Sequence, residues 1–248
     1  MSDKGSIPIA TKEQQRPYLL FLAGESRRLD GATLEPEFRR MGLNPRGAVP
    51  AAAHYAGLFV DPPLEIGFAS QRALAGPAWP DLAELKDMAS SRQALACVPL
   101  GLSSGDRASC SRELFKLAVL LIDLCGADRM YWSPAGLWSD ARQFQAAVTE
   151  MLTSGMPPVL HVVAFHAGRD GTGMQTQGLA HFAGQELIAT DAVGLDRAGL
   201  LRRMARLAID IMINGAVQAP RSFPGLVEGE RIRMRPDGGT VYVTIMAE

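Results

Sequence analysis

Four histidines and a few acidic and sulfur-bearing residues are the side chains in this chain that could do chemistry. They are His54, His161, His166 and His181, with Asp170, Glu186 and Asp191 near the last three and Cys110 further upstream. Histidine serves as a general base or a metal ligand near neutral pH, and a carboxylate can orient it or complete a ligand set. His161 and His166 are five residues apart in "PPVLHVVAFHAG" (157–168), a β-branched and aromatic run that reads as a strand. An odd offset sends them to opposite faces, roughly 16 Å apart along the axis at ~3.3 Å per residue. They cannot hold one ion together. His161 with His181 is the better pair, provided that a returning strand brings His181 onto the same face, with Glu186 or Asp191 as a third group. His166 with Asp170 is a further catalytic candidate beside the turn. Hydrogen-bonded or surface histidines explain the same residues with fewer assumptions, and no metal or cofactor is expected.

Nucleophile signals are weaker. "LSSGDR" (102–107) and "TSGMPP" (153–158) contain Ser-Gly without the strand–Ser–helix setting of a nucleophile elbow. Cys110 precedes a helix, where the dipole can favour a thiolate, but one residue makes no site. "GRDGTGMQTQG" (168–178) lacks the lysine of a phosphate loop and any dinucleotide spacing.

Positioning these residues requires elements. "RDGTG" (169–173) is a turn signal between two strand-like segments, so 159–166 and 174–182 are expected to pair as a hairpin around Asp170-Gly171. A symmetric register places Leu179 opposite His161, His181 diagonal to it on the same face, and Thr176 opposite Ala164. The result is a groove floored by His161 and His181, with Tyr131, Trp132 and Glu186 as its further binding candidates. A slip of one residue would undo it. The glycines of "GMQTQGLAHFAGQELIAT" (173–190) then serve turns and strand edges.

The other elements follow from periodicity. Strands are expected at 17–24, 54–61, 94–101, 129–134 and "QELIAT", with a closing hairpin over 229–247 around Pro236-Asp237-Gly238-Gly239. Helices are expected over 33–42, 76–91, 111–127, 139–155 and 194–216. Leu117, Ala118, Leu121 and Ile122 form one apolar stripe, Phe144, Val148, Met151 and Leu152 a second. Leu200, Met204, Leu207, Ala208 and Ile211 form a third, with Arg202, Arg203 and Arg206 on a solvated face. Interleaved helices and hairpins predict an α+β fold: a mixed, largely antiparallel sheet packed against several amphipathic helices. Residues 1–17 read as a disordered leader and 18–248 as one composite domain, with a possible subdomain boundary near 101–110.

Composition narrows the function. The chain has 248 residues, 25 Lys+Arg against 26 Asp+Glu, and 6% aromatics. Neither a basic excess nor basic–aromatic interleaving advertises nucleic acid, so none is expected as a partner. No apolar stretch is long enough to span a membrane. Three scattered cysteines, Cys97, Cys110 and Cys125, fit reduced thiols in a cytoplasm, with Cys97 and Cys125 in core positions.

The order "LIDLCGADRMYWSPAGLWSDARQF", "PVLHVVAF", "TQGLAHFAGQELIATD" and a long helix resembles a bacterial family of domains of unknown function, the one numbered 4261. Thr176, Gly178, Leu179, Phe182, Glu186 and Leu187 match its Thr-x-Gly-Leu-x-x-Phe-Gly-x-x-Glu-Leu-like segment, with Tyr131-Trp132 upstream; Ala183 stands where the pattern has Gly. The resemblance covers about 110–215 and implies a fold rather than a reaction. Taken together, these observations lead to the expectation of a non-catalytic bacterial protein-interaction module of adaptor or immunity type, which could also assemble with itself. The alternative is a hydrolase-like or metal-dependent enzyme using the histidine-lined groove.

Overall fold

The computed structural model describes residues 19–23, 44–46, 55–61, 64–69, 93–99, 107–168, 173–191 and 195–247, with Pro36, Arg39 and Arg40. The expected leader, the 76–91 helix, Asp170 and the side chains of Cys97 and Cys125 lie outside that description. Of the 33–42 helix, Pro36, Arg39 and Arg40 are helical.

Seven strands form an antiparallel sheet: β1 (Leu19–Ala23), β2 (Asn44–Arg46), β3 (Tyr55–Asp61), β4 (Leu64–Ala69), β5 (Gln93–Pro99), β6 (Ala127–Trp132) and β7 (Leu137–Asp140). Their spatial order is β2-β3-β4-β5-β1-β6-β7. On β1 and β6, Leu19 faces Trp132 and Phe21 faces Met130, and all four side chains are fully buried. Helix α1 (Arg107–Cys125) packs over these two strands, and α2 (Ala141–Ser154) over α1, β6 and β7. Helix α2 starts where Asp140 accepts the Gln143 N–H at 3.0 Å and stops at left-handed Gly155.

The second sheet has six strands in the order β11-β12-β13-β10-β9-β8. They are β8 (Ala164–Ala167), β9 (Met174–Gln177), β10 (Glu186–Asp191), β11 (Arg221–Pro224), β12 (Glu230–Asp237) and β13 (Thr240–Ala247). All its pairings are antiparallel except β10 with β13, which makes it mixed. Helix α5 (Arg197–Asn214) covers β9 and β10. Two single helical turns, α3 (Val159–Val162) and α4 (Ala180–Ala183), both touch α5. In addition α3 meets β7 and α4 meets α1, so these turns join the two halves. The α+β expectation holds.

The expected hairpin needs correction. Residues 159–162 are helical, and pairing is confined to Ala164–Ala167 with Met174–Gln177. The register is one residue off the symmetric one: Thr176 lies opposite Phe165, not Ala164. Leu179 and His181 lie beyond the strand, so neither opposes His161. The cause is local. Pro157 and Pro158 preset a helical entry, and a run of apolar residues does not by itself distinguish strand from buried helix. Strand β4 falls in a stretch that sequence periodicity left unread.

A second correction concerns the solvated arginine face of α5. Arg202 and Arg206 are exposed, but Arg203 is 6% exposed. Its Nε donates to Glu230 Oε1 at 2.7 Å, its second guanidinium nitrogen pairs with Glu230 Oε2, and its third donates to the Gly199 carbonyl at 2.9 Å. This buried pair ties α5 to the start of β12.

Candidate functional site

Glu186 organises the segment Thr176–Leu187. It is the first residue of β10, and its carboxylate reaches back over the turn before α4. It accepts the Thr176 hydroxyl at 2.7 Å and the backbone N–H groups of Gly178, Leu179 and Ala180 at 2.8, 3.3 and 3.0 Å. Those amides are the unpaired donors at the start of a helical turn, which favour an anion. The Thr176 oxygen in turn accepts the Leu187 N–H at 2.7 Å, so a buried threonine and a half-buried glutamate lock β9, α4 and β10 together.

Gly178 fits this clamp because nothing larger does. Its φ is 97°, and a Cβ there would lie 2.8 Å from the Ala135 Cβ and 2.9 Å from the Val162 carbonyl oxygen. Three elements meet at this point: the β6–β7 turn, α3 and the clamp. Beyond it, the N–H of left-handed Gly184 closes α4 on the Ala180 carbonyl. The side-chain amide of Gln185, 8% exposed, then donates to the Val217 carbonyl at 3.1 Å and accepts the Val217 N–H at 2.8 Å.

The histidines occupy three different settings. His161, on α3, is hydrogen-bonded through Nδ1 to Ser139 at 3.1 Å and meets the Phe144 ring edge-on. Burial pushes its pKa below the usual histidine value, against the smaller raising effect of Asp140. His181, on α4, lies edge-on to Trp132 with centroids 5.1 Å apart, and edge-on to Phe182. His166 is exposed on the edge strand β8. His161 and His181 thus touch different rings of one aromatic row, Phe144 for the first and Trp132 with Phe182 for the second, and they do not share a strand face. Among the described residues no three His, Cys, Asp or Glu side chains converge as a metal set.

Trp132 is the centre of that row. It stacks on Phe182 at 16° and contacts Phe115, which meets Phe144 edge-on. It is fully buried, and its indole N–H has no hydrogen-bond partner among the described residues. Tyr131, on the other side of the strand, packs on Trp138 at 4.9 Å. Trp132 therefore backs a surface rather than lining one.

The surface it backs is an open cleft of about 420 Å³, formed where the ends of α1, α2 and α5 meet α4. Phe115 and Phe182 contribute their rings, with centroids 6.3 Å apart. Met151, Leu152, Met212 and Ile213 supply apolar walls, and Arg112 stands exposed among the lining residues. Ile213 is 54% exposed. Next in the chain to the lining Pro157, Met156 is exposed too. Helical periodicity places Met151 and Leu152 on a core stripe and does not single out Arg112, Phe182, Met212 or Ile213 as site residues. The legible signal was the surplus of apolar residues at the end of α5, outside its buried stripe.

No helix among the described residues is long and apolar enough to cross a membrane. No family model, curated protein or solved structure matches the chain.

Proposed function

We propose that this protein is a non-catalytic interaction module that takes an apolar segment of a protein partner into the cleft between α1, α2, α4 and α5. The carrying observation is an open apolar cleft walled by two methionines and the exposed Ile213, with the cation of Arg112 among the residues that line it. Surfaces of this kind receive an amphipathic helix. Methionine adapts to the partner's side chains, and a cation beside the groove selects an acidic residue next to the apolar anchors. The volume falls within the roughly 300–1,000 Å³ of ligand sites, enough for a few anchoring side chains. The segment Thr176–Leu187 has a role in this reading. Its clamp fixes α4, and α4 presents Phe182 to the cleft.

Peptide display against the full chain tests the proposal. Enriched peptides should carry apolar residues at helical spacing with an acidic neighbour. Their affinity should fall about tenfold or more with Ile213→Asp and with Arg112→Glu, and be unchanged with His166→Ala. Peptides indifferent to both cleft substitutions would refute it.

A further inference from the structure

The solvent face of the second sheet carries a row of cations that linear composition hides. Alternation along β12 buries Glu230, Ile232 and Met234 and exposes Arg231, Arg233 and Arg235. Neighbours in that row are about 7 Å apart at ~3.4 Å rise per residue. β13 runs alongside in register, with Met246, Thr244 and Tyr242 opposite the three arginines in turn. The Arg235 guanidinium lies over the Tyr242 ring, 5.1 Å from its centroid. Helix α5 packs against the other face, where Arg203 meets Glu230.

Among the described residues, acidic positions on the cationic face are few. The exposed Asp237 ends the row, and Asp191 stands by register opposite Thr244, one strand further from Arg233. The exposed large apolar residues of the described chain are elsewhere: Met156, Leu160 and Ile213 on the helical side, Leu226 and Val227 in the β11–β12 connection.

We propose that this face binds single-stranded nucleic acid, its phosphates on the arginine row and a base stacked against the Arg235–Tyr242 pair. A row of like charges at constant spacing complements a polyanion with a regular repeat. The planar guanidinium over an aromatic ring offers the flat surface on which a base stacks, and the carboxylates of an acidic peptide have nothing to place there. A lipid surface would need large exposed apolar anchors, and among the described residues the nearest, Leu226 and Val227, lie in the β11–β12 connection at one end of the row rather than along it. The basic and aromatic residues interleave across two strands rather than along one, which is why the linear sequence predicts no nucleic-acid partner.

The test is fluorescence anisotropy of labelled mixed-sequence oligonucleotides, RNA and DNA, titrated with the full chain at about 50 mM salt. Binding is expected, with a log–log salt slope of about −1.4 for two phosphates, on Arg233 and Arg235, at about −0.7 each. Arg233→Glu with Arg235→Glu should abolish it, and Tyr242→Ser should weaken it about tenfold. Arg202→Glu, exposed on α5, should leave it unchanged. Thermal midpoints of each variant keep folding separate from binding. The proposal is overturned by no binding to either oligonucleotide, or by binding that survives the double charge reversal. It is equally overturned if phosphatidylserine vesicles or polyglutamate bind through the same arginines more tightly than the oligonucleotides.

Discussion

Thr176 and Glu186 are joined across ten residues by a 2.7 Å hydrogen bond, and the threonine oxygen that donates it also accepts the N–H of Leu187. A strand, a helical turn and the next strand therefore close on one hydroxyl and one carboxylate. Removing the carboxylate strands three backbone N–H groups and a buried hydroxyl at once. Glu186→Ala should cost about 3 kcal/mol, and Thr176→Val about 1–3 kcal/mol. Urea midpoints measure both, and a wild-type midpoint for Glu186→Ala would show that the clamp contributes nothing.

Gly178 makes the clamp intolerant of side chains. Gly178→Ala adds a methyl group where Ala135 and the Val162 carbonyl already stand within 3 Å, at a φ that disfavours alanine. A loss of about 2 kcal/mol or more is expected in thermal or urea unfolding. An unchanged midpoint would place the β6–β7 turn elsewhere.

The legible parts of this fold were those with local cause. Asp140 and Gly155 bracket α2 within a residue of expectation, because a cap and a left-handed stop are written in the residues themselves. The β12–β13 hairpin follows from its Pro-Asp-Gly-Gly turn. Val159–Val162 was misread because β-branched residues favour strands in isolation, whereas here Val159 and Val162 bury their side chains from a helical turn. The parallel pairing of β10 with β13 joins segments some fifty residues apart, for which no spacing rule exists. Arg203 lies beside two exposed arginines on α5, and only Glu230, 27 residues later, distinguishes it.

That Arg203–Glu230 pair supplies a pH prediction. The hydrogen bond from Arg203 holds the Glu230 carboxyl below its ordinary value of 4.5 and, reciprocally, raises Arg203. A depressed carboxylate stabilises the fold above its unfolded pKa, and that stability is lost as pH falls below about 4.5 through the folded value. Glu230→Gln should remove this acid dependence and cost about 3–5 kcal/mol at pH 7 by leaving a buried cation unpaired. Arg203→Met combined with Glu230→Leu should recover most of the loss. Additive losses in the double variant would contradict the pairing.

His161 titrates in a second window. Burial lowers its pKa below 6.5, so the native state favours the neutral ring. Its contribution is complete above 6.5 and declines as pH falls through the lower folded value. An NMR titration of the imidazole should give a midpoint below 6.5, and a midpoint at or above 6.5 would place His161 in contact with solvent or a closer carboxylate.

The cleft is the claim on which the functional reading rests, and methionine methyl NMR reads it directly. Met151 and Met212 line the cleft, while Met174, Met204 and Met234 are 2% exposed or less. With ¹³C-methyl methionine in the full chain, a peptide obtained by display should shift or broaden Met151 and Met212 in a saturable way. The three core methyls should stay in place. Saturable binding that leaves Met151 and Met212 unmoved would contradict the account.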